Sequence, residues 1–243
     1  MLKKITLSVL VATMLFANGD NNKILENIKQ IGIFKSPSLD LNTIINKGSI
    51  YQVGGTNKLQ NGRVMDIEAF VTTDLQYVIL GKGFEAKSGA EMIIPKDMSV
   101  YSSKGAFTVG TGNNEYFLFT DPECPYCINL EKDVISKLTE ENLKNIKINV
   151  FLFPLSFHKN AKSMSYYIMS KKDNQSKINA TKEIMIDGNL KYQETKYSTV
   201  ELEALNKSLD AQKEVVEKLN ITGTPTLIDS VGKKVKDYRI LFK

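Results

Sequence analysis

Cys124 and Cys127 are the two cysteines of the chain, and only Pro125 and Tyr126 stand between them. A disulfide kept for strength normally joins distant segments, because the entropy it removes from the unfolded chain grows with the loop it closes. Across two residues that gain is small, so the spacing points to reactivity. The pair falls where a compact apolar run, Tyr116–Phe119, gives way to a helical pattern. In that pattern Cys127, Leu130, Val134 and Leu138 recur every three or four residues, which makes one apolar helical face. The first N–H groups of a helix lack partners and carry partial positive charge, a setting that favours a thiolate. Thiols so placed have a pKa lowered to about 3.5–7.5, against about 8.5 for a free cysteine. Pro125 suits the first helical turn, where its missing N–H costs nothing. Cys124 is therefore expected to attack a disulfide. Cys127, on the apolar stripe, is expected to be more buried and less ionised, and to resolve the mixed disulfide by attacking Cys124.

Other chemistries fit less well. A structural zinc normally takes four ligands, and the cysteines with the single histidine, His158, do not supply them. No metal and no cofactor beyond a Cys124–Cys127 disulfide is expected. His158 follows a strand pattern and precedes a helical one, where surface or capping roles are common. Glu123 is expected to be exposed beside the nucleophile. The stripe Met164, Tyr166, Tyr167 and Met169 reads as core. A second element, Thr222–Gly223–Thr224–Pro225–Thr226, lies just before a strand pattern; an X–Pro bond there is a candidate cis peptide. If it faces Cys124, the Thr224 backbone can pair with an extended substrate segment.

The elements that must hold these residues follow from periodicity. Strand Tyr116–Phe119, the helix from Cys124 and strand Ile146–Phe153 form a crossover with a parallel strand pair. Residues Asn160–Lys171, Ser176–Ile186 and Thr199–Leu219 read as mostly helical, and Thr226–Asp229 with Lys234–Arg239 as a closing hairpin. Upstream, Ile24, Leu25, Ile28 and Ile31 have helical spacing, with Gly32 placed to end the helix. Short strand-like runs follow at Ile50–Val53, Val64–Val71 and Gln76–Leu80, separated by turn residues.

At the N-terminus Lys3 and Lys4 precede an apolar run from Ile5 to Phe16, which is too short to span a bilayer and is followed by Ala17. That is the pattern of a secretory signal. Of 243 residues, 42% are hydrophobic and 24% charged, ordinary for a folded chain with a sizeable core. The net charge of +5 falls to +3 without Lys3 and Lys4. No cluster of basic residues interleaved with aromatics marks a nucleic-acid surface, so nucleic acid is not an expected partner.

Phe119–Thr120–Asp121–Pro122–Glu123–Cys124–Pro125–Tyr126–Cys127, with Gly223–Thr224–Pro225 far downstream, resembles the thioredoxin fold of the DsbC/DsbG disulfide isomerases. The stretch Asp74–Leu75–Gln76–Tyr77–Val78–Ile79–Leu80–Gly81, then Ser88–Gly89 and Met98–Ser99–Val100–Tyr101, resembles that family's N-terminal domain and its junction with the catalytic domain. The resemblance implies an α/β protein: a thioredoxin-like catalytic domain with a helical insertion, preceded by a small α+β N-terminal dimerisation domain. The boundaries read as 1–17 for the signal peptide, 18–86 for the dimerisation domain, 87–98 for a linker and 99–243 for the catalytic domain. Also implied are a homodimer with a hydrophobic cleft for misfolded or misoxidised secreted proteins, a membrane reductase like DsbD that keeps the pair reduced, and a periplasmic location. Thr224 and Pro225 are candidate substrate contacts; Tyr126 either makes substrate or dimer-cleft contacts or simply occupies an exposed position between the cysteines. Threonine before the proline resembles the isomerase branch more than the oxidant DsbA.

The expected function is thus a periplasmic disulfide isomerase and reductase. The alternatives are a DsbA-type thiol oxidant, or a chaperone-like binder of unfolded clients. Two departures stand out. The connector from Gly89 to Met98 is shorter than the family's linker helix, which favours the oxidant alternative. Leu118 sits where thioredoxins often carry a buried acid, so the sequence assigns no acid to the Cys127 proton.

Overall fold

Helical spacing in the first segment produces α1 (Asn18–Lys29), with Asp20 in its first turn and Lys29 in its last, each suited to the helix dipole. A computed structural model describes residues 18–242, so the expected signal at 1–17 lies outside the described residues. α1 buries Leu25 and Ile28 against a four-stranded antiparallel meander. Its strands are β1 (Leu39–Asn46), β2 (Ile50–Lys58), β3 (Val64–Thr72) and β4 (Val78–Leu80), in that spatial order. Alternation along the strands puts Tyr51, Val53, Ala69 and Val71 into the same core as Leu41 and Phe34. Gly55 lets β1 and β2 close up, because a Cβ there would meet Asp40 O at 1.9 Å.

Two differences from the expected pattern have local causes. β1 was not foreseen, since a bulge between Leu41 and Thr43 shifts its register and breaks the alternation. Gln76 and Tyr77 lie in the turn before β4, where Asp74 Oδ1 accepts from Thr72 Oγ1 and Gln76 N. A hairpin of β5 (Gly83–Phe84) and β6 (Glu91–Met92) follows, the second strand falling inside residues 87–98. The chain divides into two compact units at Ile94 and Pro95.

The second unit is built on a mixed five-stranded sheet. Its elements run β7 (Phe107–Val109), β8 (Asn114–Thr120), α2 (Pro125–Asp133), α3 (Glu140–Asn145), β9 (Ile146–Leu152), α4 (Ala161–Met169), α5 (Asn174–Met185), α6 (Lys191–Glu194), α7 (Thr199–Lys218), β10 (Thr226–Asp229) and β11 (Lys234–Val235). The spatial order is β11-β10-β8-β9-β7; β8 and β9 are parallel and the other pairs antiparallel. Both faces of β8 are buried. Phe117 and Phe119 pack with Phe151, Val215 and Val216 on one side, and Leu118 packs with Val150, Leu130 and Ile168 on the other. Phe119 and Phe151 stack with centroids 4.8 Å apart. Helices α4 to α6 form the insertion between β9 and α7, so the chain is α/β with a small α+β unit ahead of the sheet that carries the cysteines.

Here too three details differ from the sequence reading. α2 stops at Asp133 and a 3₁₀ turn, Ile135–Lys137, continues the apolar stripe. Val134 and Ile135 are both β-branched and so poor at extending a helix. β11 has two residues, and the chain then turns into a 3₁₀ segment, Tyr238–Phe242, that buries Leu241 completely. β7, a three-residue edge strand, was not foreseen.

Candidate active site

β8 ends at Thr120, and after three intervening residues the backbone is extended at Cys124, the N-cap of α2, with Pro125 in the first turn. Cys124 O accepts from Ile128 N at 3.0 Å and Cys124 N donates to Asp121 O at 3.1 Å, which fixes the cysteine at the helix opening. The Cys124 thiol faces a residue 100 positions away, Sγ donating to Thr224 O at 3.7 Å. The Thr224–Pro225 bond is cis. Cys124, Cys127, Thr224 and Pro225 thus meet at one place, and Tyr126, between the cysteines, is 75% exposed.

Both thiols are free. Their exposures differ little, 5% for Cys124 and 1% for Cys127. The asymmetry lies in their partners. Cys127 Sγ accepts from Asp121 N at 3.4 Å. Burial pushes its thiol up to about 11, while the Asp121 N–H and the hydroxyls of Thr120 and Thr224 favour the anion and Cys124 opposes it. Cys127 is therefore a protonated thiol near neutral pH, with the Asp121 N–H already turned to the sulfur. A direct consequence is slow alkylation. In the reduced native protein at pH 8, Cys127 is expected to react with iodoacetamide roughly 100-fold more slowly than in the unfolded chain, read by peptide mass. Equal rates in the two states would contradict the assignment.

Three polar residues around the pair were not singled out as functional from sequence. Asp121 is fully buried. Its Oδ1 accepts from Glu123 N at 2.8 Å, and its Oδ2 accepts from Leu155 N at 2.7 Å and lies 2.8 Å from His158 Nδ1. Glu123 is not the exposed residue expected. Its carboxylate accepts from Asn160 N at 2.6 Å, Asn160 Nδ2 at 3.0 Å and Ala161 N at 2.9 Å. It caps α4, whose own N-cap side chain makes no capping bond. His158 is likewise not a surface residue, with 16% of its side chain exposed and Phe157 edge-on at 4.5 Å. An acid two residues beyond the apolar run Tyr116–Phe119, just ahead of the cysteine pair, was the signal for Asp121. For His158 no local signal exists.

Glu131, on α2 one turn beyond Cys127, is also buried, and burial pushes its carboxyl up to about 7 against the opposing pull of Lys182 and Ser136. It borders a cavity of about 10 Å³ that Leu118 and Thr120 also line. The stripe read as core is core: Tyr166, Tyr167 and Met169 are buried. Among the described residues no group of three or more His, Cys, Asp or Glu side chains is placed to hold a metal, and no helix is long and apolar enough to cross a membrane. Chemically, a nucleophile at a helix opening and a protonated thiol one turn behind it can carry out thiol–disulfide exchange.

No curated protein matches the chain. Among solved structures, it is similar to the catalytic domain of Proteus mirabilis ScsC at 17% identity, covering 60% of this chain and 94% of that one with a TM-score of 0.41. It is similar to Helicobacter pylori DsbG at 14% identity, covering 86% and 99% with a TM-score of 0.37. It is similar to the thiol-disulfide exchange protein α-DsbA2 of Wolbachia pipientis at 14% identity, covering 60% and 90% with a TM-score of 0.45. The model of the thioredoxin-like domain matches residues 108–239, from within β7 to beyond β11. Because that match takes in more than half of the chain and both cysteines, the chain belongs to the thioredoxin-like family.

Proposed function

We propose that the protein is a periplasmic disulfide isomerase and reductase acting on wrongly paired secreted proteins. The observation that carries this reading is the division of labour between two sulfurs. Cys124 stands at the opening of α2 beside the Thr224 backbone, and Cys127 is sealed below it as a thiol. Cys124 attacks a client disulfide as the thiolate, forming a Cys124–client bond and releasing the second client sulfur. That sulfur then attacks a different partner within the client, or Cys127 closes the internal disulfide and releases the client reduced. The Thr224 backbone and the exposed Tyr126 ring are the surfaces that receive the client segment, beside Pro225. No cofactor is needed beyond the Cys124–Cys127 disulfide, which a DsbD-like membrane reductase returns to the dithiol.

Residues 1–17, with Lys3 and Lys4 ahead of an apolar run, support export. The α+β unit supports a homodimer. β4 is the edge of its sheet, and Tyr77 just before it and Ile79 and Leu80 along it are more than half exposed, an apolar edge that a second copy would cover. The test is catalysis with direction. The purified protein is expected to restore activity to a scrambled disulfide-bonded ribonuclease, and its own pair to be mostly reduced when trapped in cells. A mostly oxidised pair, with dithiol oxidation outpacing reshuffling, would assign it to the DsbA-type oxidants.

A further inference from the structure

His158 is joined to the resolving sulfur through a single residue. Its ring Nδ1 is 2.8 Å from Asp121 Oδ2, and Asp121 N donates to Cys127 Sγ at 3.4 Å. Asp121 therefore carries both ends of the link, a carboxylate held at one end and an amide on the sulfur at the other. The carboxylate is fully buried and has three donors around it, the N–H groups of Glu123 and Leu155 and the His158 ring. Without the ring, Oδ2 keeps only the Leu155 N–H, and a buried carboxylate short of a donor is held less firmly. A side-chain rotation alone leaves the backbone N–H in place, but the same residue supplies the amide on Cys127, so a carboxylate anchored on three donors also restrains the Asp121 backbone and the aim of that N–H. The ring also packs against Phe157 in a T-shaped contact, centroids 4.5 Å apart.

The sulfur needs that N–H most at one moment. When Cys127 resolves a mixed disulfide, its thiol gives up a proton to solvent and the sulfur becomes an anion. The anion's electron pair forms the Cys124–Cys127 bond as the Cys124–client bond breaks, and the client sulfur leaves as a thiolate that takes up a proton. A hydrogen bond to an ionised acceptor is roughly twice as strong as one between neutral groups. The Asp121 N–H is thus worth more to the anionic sulfur than to the thiol, and its aim bears on the rate. The first attack, by Cys124, makes no use of it.

We propose that His158 is a positioning residue for the resolving half-reaction, acting through Asp121 to hold the N–H that stabilises the Cys127 thiolate. The inference rests on the exchange reading given above and adds a residue and a step to it. It is tested by reacting the reduced protein with glutathione disulfide, quenching in acid and following the Cys124–glutathione adduct by mass. In His158→Ala the adduct should form within about twofold of the wild-type rate but decay about tenfold more slowly, the loss expected of one charge-assisted hydrogen bond. Two further variants separate positioning from bulk. His158→Asn puts an amide N–H where Nδ1 stood and should restore decay. His158→Gln keeps the size, places its donor near the Nε2 position and should behave like alanine. Wild-type decay in both His158→Ala and His158→Gln overturns the proposal, and so does a decay in His158→Asn as slow as in His158→Gln. Formation and decay slowed alike in all three would make the role purely structural. A wild-type protein that forms no adduct would instead remove the exchange reading itself.

Discussion

Cys124→Ser is expected to lower exchange with a protein disulfide by at least about 10³-fold, whereas Cys127→Ser should still attack and then stall as a covalent complex. The contrast follows from where each sulfur sits. Cys124 is the N-cap of α2, with its thiol directed at the Thr224 carbonyl, so it lies on the side where a client backbone can approach. A serine hydroxyl there does not ionise near neutral pH and cannot be displaced as a thiolate can, so neither formation nor release of a mixed disulfide proceeds. Cys127 has its sulfur on Asp121 N and its thiol held up to about 11, so it does not attack a client before Cys124 has brought one in. Its removal deletes only the internal escape. The measurement is incubation of each variant with oxidised insulin, followed by non-reducing electrophoresis and mass analysis. Complexes should accumulate with Cys127→Ser and be absent with Cys124→Ser. Similar complexes from both variants would undo the division of roles.

What could be read from the sequence was whatever is encoded locally. The cysteine spacing, Pro125 at the first turn and the stripe through Leu130 all lie within one helix and its entry, and the structure places Cys124 and Cys127 as that pattern requires. Thr224 and Pro225 were legible as a motif, and their meeting with Cys124 is a tertiary fact that the strand order β10-β8 creates. The contacts that hold the redox loop were not legible. Asp121 and His158 are 37 positions apart, as are Glu123 and Asn160, and neither acid differs by type from an exposed one. Each is recognisable only once β8 and β9 lie side by side and bring the segments that follow them together. Element boundaries failed for physical reasons of the same kind. The bulge in β1 hides its period, and the apolar stripe of α2 runs past Asp133 because the 3₁₀ turn still buries Ile135.

A buried acid that the sequence did not single out, Glu131, raises the second large expectation. Glu131 occupies an inward position of α2 among Leu118, Ile135, Val150 and Ile178, with 8% of its surface exposed. The polar and charged groups facing it are few: Ser136, whose Oγ lies 3.4 Å from Oε1, Lys182, and the Thr120 and Thr181 side chains on the cavity wall. Desolvation outweighs them and raises the carboxyl from 4.5 to about 7. The sign of the stability effect follows from proton counting. Between pH 4.5 and 7 the folded chain holds this proton more tightly than the unfolded one, so stability falls as pH rises through that window and the full penalty is present above it. At about 1.4 kcal/mol per pKa unit the penalty is roughly 3 kcal/mol, and below pH 4.5 it vanishes. Glu131→Gln keeps the shape and can still accept from Ser136, but it has no charge to bury. It should therefore match the wild type near pH 4 and be roughly 2–3 kcal/mol more stable at pH 8, measured by urea unfolding of the reduced protein across that range. The gain should develop mainly between pH 4.5 and 7. A variant displaced by the same amount at pH 4 and pH 8 would attribute the effect of Glu131 to packing and not to its buried charge.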